Sequence, residues 1–148
     1  MSTLTNLPRA TSLRLRDTCL CLHLQRAARV VARRFDEAFR PLGLTNNQFS
    51  LLMSLNRPEP ARMSEVTAAL AVDRTTLTAN LKPLQRRGLV KIARDPDDKR
   101  SRRLSLTPAG HALLIAALPV WKRTHAALER LLGDRGPDHL RADLRALS

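Results

Sequence analysis

Aromatic side chains are scarce, with three Phe, one Trp and no Tyr in 148 residues. Stacking-type RNA modules present aromatics on strands, and none of Phe35, Phe39, Phe49 and Trp121 belongs to a plausible stacking strand. General RNA binding therefore stands only as a charge-driven alternative. Glycine is also sparse, at five, and forms neither a phosphate-cradling loop nor a nucleophile elbow, so the chain does not read as an enzyme. Two cysteines cannot make a disulfide framework, which fits a reducing cytoplasm. No apolar run reaches the ~18 residues of a membrane span. The N-terminal leucines are interrupted by Arg9, Arg14, Arg16 and Asp17, unlike a secretory signal. The histidines His23, His111, His125 and His139 fall in different predicted helices without paired cysteine or carboxylate. Neither a metal nor a cofactor is expected.

What the chain does have is positive charge, +13 net, alongside 43% hydrophobic residues. The second number is ample for a core, and the first points to a polyanionic partner, foremost nucleic acid. The charge is densest in the middle: residues 62–103 carry eleven basic and five acidic groups, against nine and four in residues 1–61 and six and four in residues 104–148. The arginines Arg26, Arg29, Arg33 and Arg34 are spread round a helix and read as a solvated face.

The spacing predicts a loose arm over residues 1–16 and then an amphipathic helix from Asp17, with Leu20, Leu24, Ala27, Val31, Phe35 and Ala38 in one stripe, ending before Pro41-Leu42-Gly43. Thr45 and Gln48 form a capping box for a second, largely buried helix that Asn56 to Pro60 stops. Ser64 is the expected cap of a short helix. After Ala71-Val72, Asp73 caps a helix over residues 74–87, with Leu77, Leu81 and Leu84 inward and Gly88 as the left-handed stop. Leu89–Ala93 and Arg103–Leu106 read as short strands joined by a long charged loop. Thr107-Pro108 opens a long helix expected to end at Gly133, and a last helix follows Pro137. The fold class is mainly α with a small β-hairpin wing.

Two helices joined by a tight turn and followed by a charged hairpin make a winged helix-turn-helix. With the leucines inward, Arg74, Thr75, Thr76, Thr78, Ala79 and Lys82 face outward on the second helix. Small hydroxyl residues let that helix sink into a major groove and meet phosphates or base edges. Taken alone, threonines beside a cap also read as satisfying the backbone. In the loop, Asp98 is placed to orient Arg100, a planar cation suited to the minor groove, while Arg94, Lys99, Arg102 and Arg103 suit phosphates.

Asp73 to Gly88 (DRTTLTANLKPLQRRG), Leu89-Val90 and Asp95 to Gly110 (DPDDKRSRRLSLTPAG) resemble the winged helix-turn-helix of MarR-type bacterial transcription regulators, over about residues 17–147. The resemblance implies a homodimer whose first and last helices intertwine, binding a palindromic double-stranded operator, usually as a ligand-relieved repressor. It implies Arg74 to Lys82 as the groove reader and Arg100 as the minor-groove residue. Residues 17–44 and 108–148 are then the helical dimerisation region and residues 45–107 the DNA-binding domain.

Two release mechanisms fit that resemblance. A small aromatic or anionic effector, held between the dimer helices and the DNA module, has His23, Arg26, Trp121 and His125 as candidate lining residues. Alternatively, Cys21, with Cys19 beside it, falls near the reactive position of the hydroperoxide-sensing branch of the family, though the tyrosines of that branch are missing and only Gln25 and Phe35 stand nearby. Cysteines two apart in a helix point to different sides and do not bond each other in place.

Overall fold

Capping residues set the helix ends. The computed structural model describes residues 6–148. Its elements run α1 (Arg9–Thr18), α2 (Leu20–Phe39), a 3-10 turn (Arg40–Leu42), α3 (Asn46–Ser54), β1 (Ala61–Arg62), α4 (Met63–Leu70), α5 (Arg74–Arg86), β2 (Val90–Arg94), β3 (Arg102–Leu106), α6 (Pro108–Glu129) and α7 (Gly136–Ala146). Thr45 caps α3 through the full capping box with Gln48, and Asp73 caps α5 by accepting the Thr76 N–H at 2.6 Å. Thr107 caps α6 by accepting the Gly110 N–H at 3.0 Å. Gly88 takes φ +70° and turns the chain from α5 into β2.

The core lies where α3, α4 and α5 meet the sheet. Leu51, Leu52, Val66, Leu77, Leu84 and Leu104 are almost fully buried there. Phe39, at the end of α2, stacks on Phe49 of α3 with centroids 4.8 Å apart, joining this core to the α2–α6 pair. The sheet is antiparallel in the order β1-β3-β2, with Ala61 opposite Leu104 and Ile92 opposite Leu104 on its other side.

Several expectations are corrected. Residues 9–16, expected to be a loose arm, are helical; residues 1–5 lie outside the described residues. α1 carries no buried residue, so its helicity comes from good helix formers such as Leu, Arg and Ala, and no burial stripe marks it in sequence. The helix expected from Asp17 is broken at Cys19, which is extended at φ −69°, ψ 111°. Ser64 is not a cap: α4 starts at Met63 with Arg62 as its capping position, and the Ser64 carbonyl instead accepts the Thr67 hydroxyl. β1 was not expected, because two residues beside prolines carry no alternation. α6 ends at Glu129 and not at Gly133, with a turn following.

Candidate nucleic-acid interface

The face that α5 turns away from the leucines is the one expected. Arg74, Thr75, Thr76, Thr78, Ala79 and Lys82 are all exposed, while Leu77, Leu81 and Leu84 are buried. Asp73 holds the first turn by its carboxylate, and the Thr76 N–H keeps that carboxyl below the usual carboxylate range. Among the described residues the threonine hydroxyls that donate to the backbone are those of Thr18, Thr67, Thr107 and Thr124, not those of Thr75 and Thr78, which weighs against a purely backbone-satisfying role. Between α5 and the hairpin runs a groove of about 310 Å³ lined by Arg74, Thr78, Lys82, Gln85, Arg100 and Arg102 among others. The helix face and the wing thus form one continuous cationic surface.

The wing is built by carboxylates working on its backbone. Asp98 Oδ1 accepts the Arg100 N–H at 3.0 Å, so Asp98 supports the loop without pairing with the Arg100 guanidinium, a refinement of the expected orientation. Asp95, which sequence reasoning did not single out as wing support, is the anchor at the neck. It is buried, accepts the Asp97 N–H at 2.9 Å, and takes Nε of Arg103 at 2.9 Å. The Asp97 N–H and then Arg103 hold its carboxyl below the ordinary range, against the opposing effect of burial. Arg103 is therefore an internal strut and not a free phosphate ligand. Arg102 leans on the loop, donating to the Lys99 and Ser101 carbonyls at 3.3 and 3.1 Å. Arg74, Lys82, Arg94, Lys99 and Arg100 enter no ion pair among the described residues.

Two links tie α5 and α3 to the end of α2. Arg87 donates Nη1 to the Gly43 carbonyl at 2.6 Å and Nη2 to that of Leu42 at 3.4 Å. Asp36 accepts both the backbone N–H and the side-chain amide of Asn46, at 2.7 and 2.9 Å. Neither is marked in the sequence: Arg87 meets a residue 44 positions away, and Asp36 reaches across the turn between α2 and α3.

Within the one chain, the expected effector residues line no common pocket among those found. His23 Nδ1 donates to the Cys19 carbonyl (2.7 Å) on an exposed stretch of α2, and Arg26 is exposed on the same helix. His125 stacks on Trp121 at 4.5 Å and reaches Glu129 at 2.8 Å. Trp121 alone enters a cleft, of about 240 Å³, between α3 and α6, together with Phe49, Met53, Asn56, His111, Leu114, Ile115 and Leu118. Met53 and Asn56 lie at the end of a helix expected to be buried, and His111 read as an isolated histidine, so this grouping escaped the sequence. Both cysteines are exposed. Cys19, outside the helix, accepts the Leu22 N–H, and Cys21 accepts from Gln25 Nε2 at 3.4 Å. The in-helix argument against a bond between them does not apply to this backbone. Phe35 packs on Phe39 instead of the thiols.

A family model described as "MarR family" matches residues 42–101. The transcriptional regulator MosR of M. tuberculosis, solved in complex with DNA, is 40% identical over 87% of this chain and 92% of that one, with a TM-score of 0.79. The repressor NicR of Pseudomonas putida is 38% identical over 51% of this chain and 48% of its own length. BpsR of Bordetella bronchiseptica, whose DNA binding is regulated by 6-hydroxynicotinic acid, is 26% identical over 84% of this chain and 94% of that one, at a TM-score of 0.75. The matched segment spans about half to three-fifths of the curated relatives.

Proposed function

The chain belongs to the MarR family of transcription regulators, and from that premise we propose that it is a cytoplasmic repressor that binds a palindromic double-stranded operator as a homodimer and is released by a small effector. The observation that carries this reading is the single surface made by Arg74, Thr75, Thr78 and Lys82 of α5 with Lys99 and Arg100 of the wing, exposed and free of carboxylate partners among the described residues. Threonines in a groove admit close approach to base edges, the unpaired cations meet phosphates, and Arg100 reaches the minor groove beside them. Residues 45–107 are the DNA-reading unit in this reading.

The flanking helices supply the second copy's seat. α1 and α7 bury nothing within the chain; Leu13, Leu15, Leu140 and Leu144 stay exposed on them, and Leu147 just beyond α7. Apolar helix faces of this extent are covered by a partner, here the same helices of another copy. The effector site is the α3–α6 cleft, set between the outer helix α6 and the DNA unit. A second reading rests on Cys19 and Cys21. Both thiols are exposed at the α1–α2 break, where a hydroperoxide transfers one oxygen to the Cys21 thiol, giving the sulfenic acid and the alcohol, beside the Gln25 amide that donates to that sulfur.

The test is binding to an operator selected from random duplexes, titrated with salt. A sequence-reading dimer keeps its preference over random duplex as salt rises, whereas a purely electrostatic binder, including a general RNA binder, loses both together. Loss of all preference, or a monomer in solution, overturns the proposal.

A further inference from the structure

Resting on the effector reading of the α3–α6 cleft, we infer that this cleft takes an uncharged, hydroxyl-bearing aromatic molecule and rejects an aromatic carboxylate. The walls are Phe49, Met53, Leu114, Ile115, Leu118 and Trp121. Besides the indole N–H of Trp121, a donor only, the polar side chains among the lining residues are the Asn56 amide and the His111 imidazole; no Lys, Arg, Asp or Glu lines the space. A carboxylate moved there from water gives up part of its hydration and meets no Lys or Arg in the lining, and a charge without such a partner against apolar walls is disfavoured. A hydroxyl both donates and accepts, and each of the two polar side chains offers both functions.

The helix ends do not rescue the anion. The first turn of α6, which carries His111, is a positive helix end, but its Gly110 N–H is already taken by the Thr107 hydroxyl. Asn56 follows the C-terminal, negative end of α3, and its own N–H is spent on the Met53 carbonyl. Lys122 and Arg123 follow Trp121 on α6 but are not among the residues that line the cleft. The volume, about 240 Å³, suits one or two fused rings, given that a cavity of about 150 Å³ accommodates benzene.

The chain supplies its own reporter, because Trp121 is its single tryptophan and lines the cleft. The experiment titrates full-length dimer with matched pairs, 4-ethylphenol against 4-ethylbenzoate and 2-naphthol against 2-naphthoate, near neutral pH. Trp121 fluorescence and release of labelled operator are followed together. The expected result is quenching by the phenols at concentrations at least tenfold below those of the carboxylates, with operator release following the quenching. Met53→Lys places a cation at the rim, where Met53 is 54% exposed and its side chain is dispensable for the core; that variant narrows or reverses the preference. Equal or tighter binding of the carboxylates to wild type overturns the charge assignment and leaves the cleft standing. If neither class changes Trp121 fluorescence while operator binding is intact, the cleft is not the effector site and the inference falls with it.

Discussion

Gly110→Ala tests how the wing is fastened to α6. A Cβ at Gly110 falls 2.1 Å from the Leu89 carbonyl oxygen and 3.0 Å from its carbon. Both are backbone atoms at the start of the hairpin, so no flexible side-chain end can move aside. The same carbonyl accepts the Thr107 N–H at 3.1 Å, and separating α6 from β2 by the required ångström or so breaks that bond. Overpacking costs about 1–3 kcal/mol and the lost hydrogen bond about 1 kcal/mol, while replacing a helical glycine returns about 0.5–1 kcal/mol. The net expectation is a destabilisation of about 2–3 kcal/mol, or roughly 5–10 °C in Tm for a chain of this size. Thermal and urea unfolding at one protein concentration measure it. Gly133→Ala is the control: nothing lies within 4 Å of its Cβ, and its Tm stays within a degree or two of wild type. A Gly110→Ala protein as stable as that control refutes the packing argument.

Arg100→Ala is expected to weaken operator binding by about 1–3 kcal/mol with Tm unchanged, and wild-type affinity in that variant removes the wing tip from DNA contact. Asp73 and Asp95 both have folded-state carboxyls held below the ordinary range. Their contribution is therefore complete above about pH 5 and lost as pH falls through and below the unfolded value of about 3.9. Urea unfolding as a function of pH shows this slope, and the Asp73→Asn, Asp95→Asn double variant flattens it; an unaltered slope assigns acid sensitivity to other groups. For the thiol reading, hydroperoxide releases operator from wild type but not from Cys21→Ser, and identical release from both ends the role of Cys21.

The reading surface was legible because its signals are local. Asp73, the leucine stripe and Gly88 fix where α5 begins, which side it buries and where it stops, and the exposed threonines follow from 100° per residue. The charged loop between two short apolar runs likewise marks the wing. Asp95 with Arg103 was not legible because the pairing across the wing decides it, though only eight residues separate them, and Arg87 with Gly43 and the grouping of Trp121 with Met53 and His111 were not because each depends on how elements distant in the chain come together. α1 escaped for the opposite reason: a helix that covers nothing leaves no burial pattern to read.

The double tie at the α2–α3 corner gives the molecule a fixed lever arm. Asp36 pins the first turn of α3 to α2, and Arg87 pins the far end of α5 to the residues just beyond α2. In a dimer joined through its outer helices, the gap between the two copies of α5 is therefore set by how those outer helices cross, well away from any base. Duplex DNA repeats every 34–36 Å or so, so a change of tilt at α1 or α7 alters which half-site spacing is accepted while every base-facing side chain stays the same. Paralogues of this architecture can part company over operators through their outer helices alone.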